Sequence, residues 1–196
     1  IDPIFLNTLN EYEYKCGMGE VLKYAFIEKS CKCDEEFNLL EKLSRYQSQD
    51  VKKSMHEIIN ICAKLKASVV NKDRLEGGLR KILNFGHTFA HPIETLSNYK
   101  NFSHGEAVAH GIKYASKLAF DKKMIDSEYF DSILFLLNKF NLLDKKVKFD
   151  NKKIVDLMMQ DKKVENSKIN LVLPTNPSQV EVFDNIDRLS IEASLL

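Results

Sequence analysis

At 196 residues, with 44% hydrophobic and 29% charged side chains, the chain has ordinary globular composition and enough length to bury one real core. Its 29 Lys+Arg against 28 Asp+Glu leave a net charge of +1, and the lysines are dispersed among acids, which argues against nucleic acid or an anionic membrane as partner. No apolar run approaches the ~18 residues of a membrane span, and four cysteines (Cys16, Cys31, Cys33, Cys62) lack the density of a secreted disulfide scaffold, so reduced thiols in a cytoplasmic protein are expected.

The start, Ile1-Asp2-Pro3-Ile4, is neither a signal peptide nor a natural N-terminus and reads as a chain cut from something longer. After a short extended opening, Tyr14 to Lys29 reads as a helix, with Val21, Leu22, Ala25 and Phe26 on its apolar side. Asp34 is a candidate cap for the next helix, which buries Phe37, Leu40 and Leu43, and Asp50 for another running to about Val70. Cys31-Lys32-Cys33 has no second Cys or His pair to complete a metal site. Turn residues fill 71–78. Beyond Pro92 and a loop over 97–103, helices are predicted from Glu106 to Phe120, Ser127 to Phe140 and Asn151 to Gln160. The tail changes period: Ile169, Leu171 and Leu173 alternate, and Val180, Val182 and Phe183 follow a Pro-Ser turn, which predicts a minor hairpin before a terminal helix capped by Asp187. Six or more helices without βαβ alternation give a mainly α chain with no nucleotide-binding sheet of its own.

Between 80 and 94, five polar side chains recur at spacings of four, three, four and three: Arg80, Asn84, His87, His91 and Glu94. On one helix they fall in a sector roughly 80° wide at about 100° per residue, opposite a stripe of Ile82, Phe85, Phe89, Ile93 and Leu96. Most polar stripes are solvated faces. This one holds two of the chain's five histidines and one of only four arginines, and it tolerates Gly86 and Pro92, which cost roughly 1 and 3 kcal/mol inside a helix. Such residues suit an active-site wall.

On spacing alone, His87 and His91 at i and i+4 are the first metal-ligand pair, with Glu94 on the same face. His104-Gly105-Glu106 followed by His110 is a second cluster able to return to the same point. Glu20 is a candidate third ligand, sharing a helix face with Lys23 while Gly17 and Gly19 permit close approach. Lys66, Arg80 and the Asp161-Lys162-Lys163 turn add cations suited to carboxylate or phosphate.

These residues resemble a known family. Gly-x-x-Glu-x-x-Lys at 17–23, Leu65-Lys66-Ala67-Ser68-Val69-Val70, Glu76-x-x-x-Arg80, Leu83-Asn84-Phe85-Gly86-His87-Thr88-Phe89-Ala90-His91, His104-Gly105-Glu106-Ala107-Val108-Ala109 and Asp161-Lys162-Lys163 stand in the order seen in 3-dehydroquinate synthase, over about 4–182. Glycerol dehydrogenases and iron-dependent alcohol dehydrogenases are looser relatives, with Asp at the position of Glu20. The resemblance implies a multi-helix bundle of the dehydroquinate synthase and glycerol dehydrogenase C-terminal type. Residues 1–9 would be the tail of a missing NAD-binding domain, and 10–196 the metal and substrate domain, inactive alone and homodimeric in the whole enzyme. It reassigns the ligands of Zn2+ or Co2+ to Glu20, His87 and His104, and frees His91 for proton transfer with Glu76. Lys23, Lys66, Arg80, Asn84 and Lys162 would hold the substrate, a phosphorylated sugar acid, and Phe5, Leu6, Asn7 and Thr8 would touch NAD.

The implied reaction converts 3-deoxy-arabino-heptulosonate 7-phosphate to 3-dehydroquinate by transient oxidation, loss of phosphate, re-reduction, ring opening and aldol closure. Related cyclases making a deoxy-inosose or amino-dehydroquinate, and a non-catalytic domain kept for dimerisation or regulation, are the alternatives. Three positions depart from the pattern. Ala90 replaces a Gly, a mild change. Pro92 directly follows His91, so the helix either starts near Gly86 or kinks. Gly19, where Ala is usual, is expected to leave Glu20 less firmly held.

Overall fold

Helix α6 (His104–Asp121) is the axle of the molecule, with every residue from Gly105 to Ile112 buried. It starts at a capping box, in which Ser103 Oγ accepts the Glu106 N–H (3.2 Å) and the Glu106 carboxylate accepts the Ser103 N–H (2.8 Å). Around it pack α1 (Glu11–Ile27), α5 (His87–Leu96), α7 (Ser127–Lys139) and α9 (Arg188–Ser194). The computed structural model describes residues 2–160, 164–165 and 168–195. Among these, α2 (Leu39–Arg45), α3 (Ser48–Lys53), α4 (Met55–Lys72) and α8 (Asn151–Gln160) complete the helices, and none is long and apolar enough to cross a membrane.

A three-stranded antiparallel sheet in the order β1 (Val164–Glu165), β2 (Lys168–Asn176), β3 (Gln179–Ile186) closes the tail. Leu171 faces Phe183 and Val172 faces Val182, so the predicted hairpin is present with a two-residue edge strand added. Ser178 adopts φ +62° in its turn. Val180 is tied through both its N–H and C=O to Ser30 Oγ (2.8 and 2.9 Å), docking the hairpin beside the end of α1.

Four local expectations are corrected. The opening is a 3-10 segment, Pro3–Thr8, rather than extended, because Asp2 caps it and Pro3 presets its first turn. Asp34 does not cap α2; the buried Glu28 carboxylate takes the N–H groups of Phe37, Asn38 and Leu39 at 2.7, 2.8 and 2.7 Å. The helix expected from Asp50 to Val70 is divided at Ser54, and Asp50 lies inside α3, where Oδ2 accepts the Gln47 N–H (2.9 Å). The Arg80–Glu94 stripe is not one helix: Leu79–Asn84 is 3-10, and α5 begins after Gly86, whose φ of +81° no continuing right-handed helix can hold. Pro92 is therefore the sixth residue of α5, past its first turn, as the earlier start allows. The apolar stripe survives the break, with Ile82, Phe85, Phe89 and Ile93 all buried.

Candidate metal and substrate site

Two backbone contacts bring the site together. A Cβ on Gly19 would lie 2.5 Å from the Gly105 carbonyl oxygen, and one on Gly111 would lie 1.9 Å from the Gly86 carbonyl oxygen. At the first, α1 rests directly on the start of α6, so Glu20 meets His104; at the second, the entry to α5 rests on α6, fixing His87. Gly19 thus serves the close approach of α1 to α6, where a Cβ would not fit.

Glu20 Oε1 lies 3.5 Å from His87 Nε2 and 3.5 Å from His104 Nε2, and one ligand atom from each of the three residues fits within 4.8 Å of the others. The two 3.5 Å separations match the ~3.4 Å edge of a tetrahedron with ligand bonds of ~2.1 Å. Among the described residues Oε1 is buried without a hydrogen-bond partner, whereas Oε2 accepts from Lys23 Nζ at 2.6 Å. A buried anionic oxygen left unpartnered is costly, and a divalent cation would satisfy it. The imidazoles are presented with their Nε2 atoms inward: His87 Nδ1 sits 3.2 Å from the Phe85 carbonyl, and His104 Nδ1 2.9 Å from Glu94 Oε1. The residues present fit a zinc- or cobalt-type ion.

The electrostatics follow from these neighbours. Burial pushes the Glu20 carboxyl up, but the His104 ring and the Lys23 ammonium outweigh it and hold the group at about 2. Burial and then the Lys23 charge push His87 down to about 4, against the pull of Glu20. His104 is lifted to about 9 by Glu20, against burial, and further by Glu94. At neutral pH, without metal, His104 is thus a cation between two carboxylates while His87 is neutral.

Glu20, His87 and His104 open onto a cleft of about 280 Å³ that is also lined by Lys23, Lys66, Glu76, Arg80 and Asn84. Most of the predicted constellation is thereby gathered in one place. Asn84 Nδ2 donates to Glu76 Oε1 (3.0 Å) and Arg80 Nη1 to the Arg74 carbonyl (3.1 Å). His91 stands apart from the ligand group; it is exposed on the next turn of α5, its ring 6.0 Å from that of His87. Its place in the i, i+4 ligand pair goes to His104, because α5 starts at His87 and its first turn faces both α1 and α6. The second cluster disperses. Glu106 closes the α6 cap and accepts from Lys145 Nζ (2.9 Å), and His110 is buried edge-on to Phe102.

Phe5, Leu6, Asn7 and Thr8 lie on the opening 3-10 segment, where Leu6 and Asn7 line a separate hollow of about 310 Å³ with Lys52 and Met55. Lys162 lies outside the described residues. One site residue was missed from sequence. Tyr24 lines the cleft with its ring 5.3 Å from Lys23 Nζ, for which the sequence carries no signal beyond adjacency to Lys23. Glu94, already on the 80–94 stripe, stands seven residues after His87 on the same helix face and reaches the site through His104 Nδ1.

The helical fold is that of the dehydroquinate synthase-like sugar-phosphate cyclases. Solved structures of 2-deoxy-scyllo-inosose synthase with carbaglucose-6-phosphate, NAD+ and Co2+ (TM-score 0.78, 24% identity, 96% of this chain and 53% of that one) and of 2-epi-5-epi-valiolone synthase from Streptomyces hygroscopicus with NAD+ and Zn2+ (TM-score 0.81, 19% identity, 100% and 53%) superpose on it. The family model for the 3-dehydroquinate synthase C-terminal region matches residues 17–164, and the chain belongs to that family. It is 35% identical to the 3-dehydroquinate synthase of Alkaliphilus oremlandii over 100% of its own length and 52% of the relative's, and 39% identical to that of Campylobacter fetus over 95% and 52%. The chain spans about half the length of these curated relatives.

Proposed function

We propose that this chain is the metal- and substrate-binding half of a 3-dehydroquinate synthase, converting 3-deoxy-arabino-heptulosonate 7-phosphate to 3-dehydroquinate and phosphate together with an NAD-binding domain. The observation that carries this reading is the convergence of Glu20, His87 and His104 on one cleft with Lys23, Lys66, Arg80 and Asn84, in a chain of this family. When bound, the metal supplies Lewis acidity at the hydroxyl being oxidised, and NAD a reversible hydride acceptor.

The chain's own residues supply the rest. Lys23, buried and 2.6 Å from Glu20 Oε2, keeps that carboxylate ionised and oriented. Lys66 and Arg80 neutralise the substrate carboxylate, a bidentate task for the guanidinium. Asn84, steadied by Glu76, fixes a substrate hydroxyl, and Lys162 approaches the phosphate. His91 and Glu76 move protons at the carbon made acidic by the neighbouring ketone. The 5–8 segment meets NAD at the junction with the other domain. The working unit is a homodimer in the cytoplasm.

The test is phosphate release from the heptulosonate phosphate by the full-length protein, with NAD and zinc. Turnover that vanishes in Glu20→Ala and His104→Ala is expected, as is no turnover by this chain alone. A full-length protein that is inactive on this substrate, yet active on a sugar phosphate lacking the carboxylate, would refute the assignment in favour of a related cyclase. Turnover by the isolated chain would refute the division of labour.

A further inference from the structure

We infer that Glu94 is the positioning residue of the metal site: through His104 Nδ1 it locks the ring so that Nε2 meets the ion beside Glu20 and His87. The inference rests on the metal reading proposed above. His104 is the first residue of α6, at the rim of the cleft, and its side chain is 42% exposed. Packing alone therefore leaves its ring free to turn. His87, at 15% exposure, is held among its neighbours and by the Phe85 carbonyl. The polar contact that holds His104 on the side away from Glu20 is Glu94 Oε1, 2.9 Å from Nδ1.

Glu94 is itself buried, an unusual place for a carboxylate unless it has a fixed partner. It stands two turns beyond His87, on the same face of α5. Helix α5 thus contributes twice to the triad, once directly through His87 and once by bracing a ligand that belongs to another helix. Its backbone is unusually constrained there, since Pro92 fixes φ two residues before Glu94, and the Glu94 carbonyl accepts both the Ser97 hydroxyl and the Tyr99 N–H at 2.9 Å. An acceptor on the outer nitrogen of a ligating imidazole sets its tautomer and orientation.

Cobalt titration of the chain, followed by the ligand-field absorption of Co2+, tests this. The wild type is expected to take up one ion; if it does not, the metal reading itself fails, apart from the role of Glu94. Glu94→Met keeps the buried volume without an acceptor, and is expected to bind Co2+ some 10–100-fold more weakly with an altered band. Glu94→Gln, whose amide oxygen can accept from the same Nδ1–H, is expected to restore the wild-type band and most of the affinity. Wild-type affinity and spectrum in Glu94→Met would overturn the inference, as would Glu94→Gln behaving like Glu94→Met. Should Glu94→Met fail to fold, the contact is read in the zinc-loaded wild type by NMR. The His104 Nδ1–H is expected to exchange slowly despite the exposed ring, and fast exchange would overturn the inference.

Discussion

His110 should make this chain acid-labile. The residue is 4% exposed, and among the described residues neither ring nitrogen has a hydrogen-bond partner within ordinary distance; burial pushes it down to about 4, against a smaller opposing pull from the Lys145 backbone. In the unfolded chain the same group titrates near 6.5. Because the folded value is the lower one, the unfolded state binds the extra proton, and stability falls as pH drops through 6.5 toward 4. Integrating between these values gives a loss of about 2 kcal/mol by pH 5 and about 3 kcal/mol by pH 4, relative to pH 8. Other groups contribute to the raw acid response: His87 is also depressed to about 4, and the Glu106 carboxyl is held low by Ser103 and Lys145 in spite of its burial. The difference between wild type and His110→Leu removes them. Urea denaturation at pH 8, 6, 5 and 4.5 should show the variant at least as stable as wild type at pH 8, and progressively more stable toward acid by the amounts above. Parallel pH curves for the two proteins, or an NMR titration of His110 near 6.5 in the folded state, would refute the reasoning.

Metal affinity should rise about tenfold per pH unit between pH 5 and 8, because His104, at about 9, must shed a proton to ligate while His87 and Glu20 are already deprotonated in that window; a pH-independent affinity from competition with a chelator would contradict this. Gly86→Ala should cost about 2–4 kcal/mol, from a side chain forced to φ +81° and a Cβ 2.8 Å from Ile112 Cγ1 and the Val108 carbonyl, and a urea-midpoint change equivalent to less than about 0.5 kcal/mol would mean that α5 can shift. Glu28→Gln should cost about 2 kcal/mol through the loss of charge-assisted bonds to three amides, with hydrogen exchange accelerated specifically at Phe37, Asn38 and Leu39, and unchanged protection there would speak against this cap.

The boundaries of α8 and the Asp187 cap of α9 were legible because each depends on neighbours within four residues. Glu28 capping α2 was not, since the cap comes from nine to eleven residues upstream and competes with a plausible local candidate in Asp34. The break at Gly86 hid for a different reason. The 3-10 segment before it and the α-helix after it both turn their polar side chains toward the cleft, so the pattern continues across a boundary that the backbone does not. Spacing likewise offered His87 with His91, His104 with His110, and Glu20 as competing ligand sets. Only the packing of α1 on α6, settled by contacts between residues far apart in sequence, chooses among them, and that choice reached the sequence reading solely through resemblance.

At Gly19/Gly105 and Gly86/Gly111 the backbones of α1 and of the entry to α5 meet the backbone of α6 with no side chain between them. Glu20, His87 and His104 each stand within one residue of these contacts or on α6 itself. The 73–78 turn, which brings Glu76 to the cleft at φ +58°, is secured independently, by Asp73 accepting from the N–H groups of Gly77, Gly78 and Arg80. The three candidate ligands therefore share one frame, built on α6, while Glu76 reaches the same cleft from a separate one.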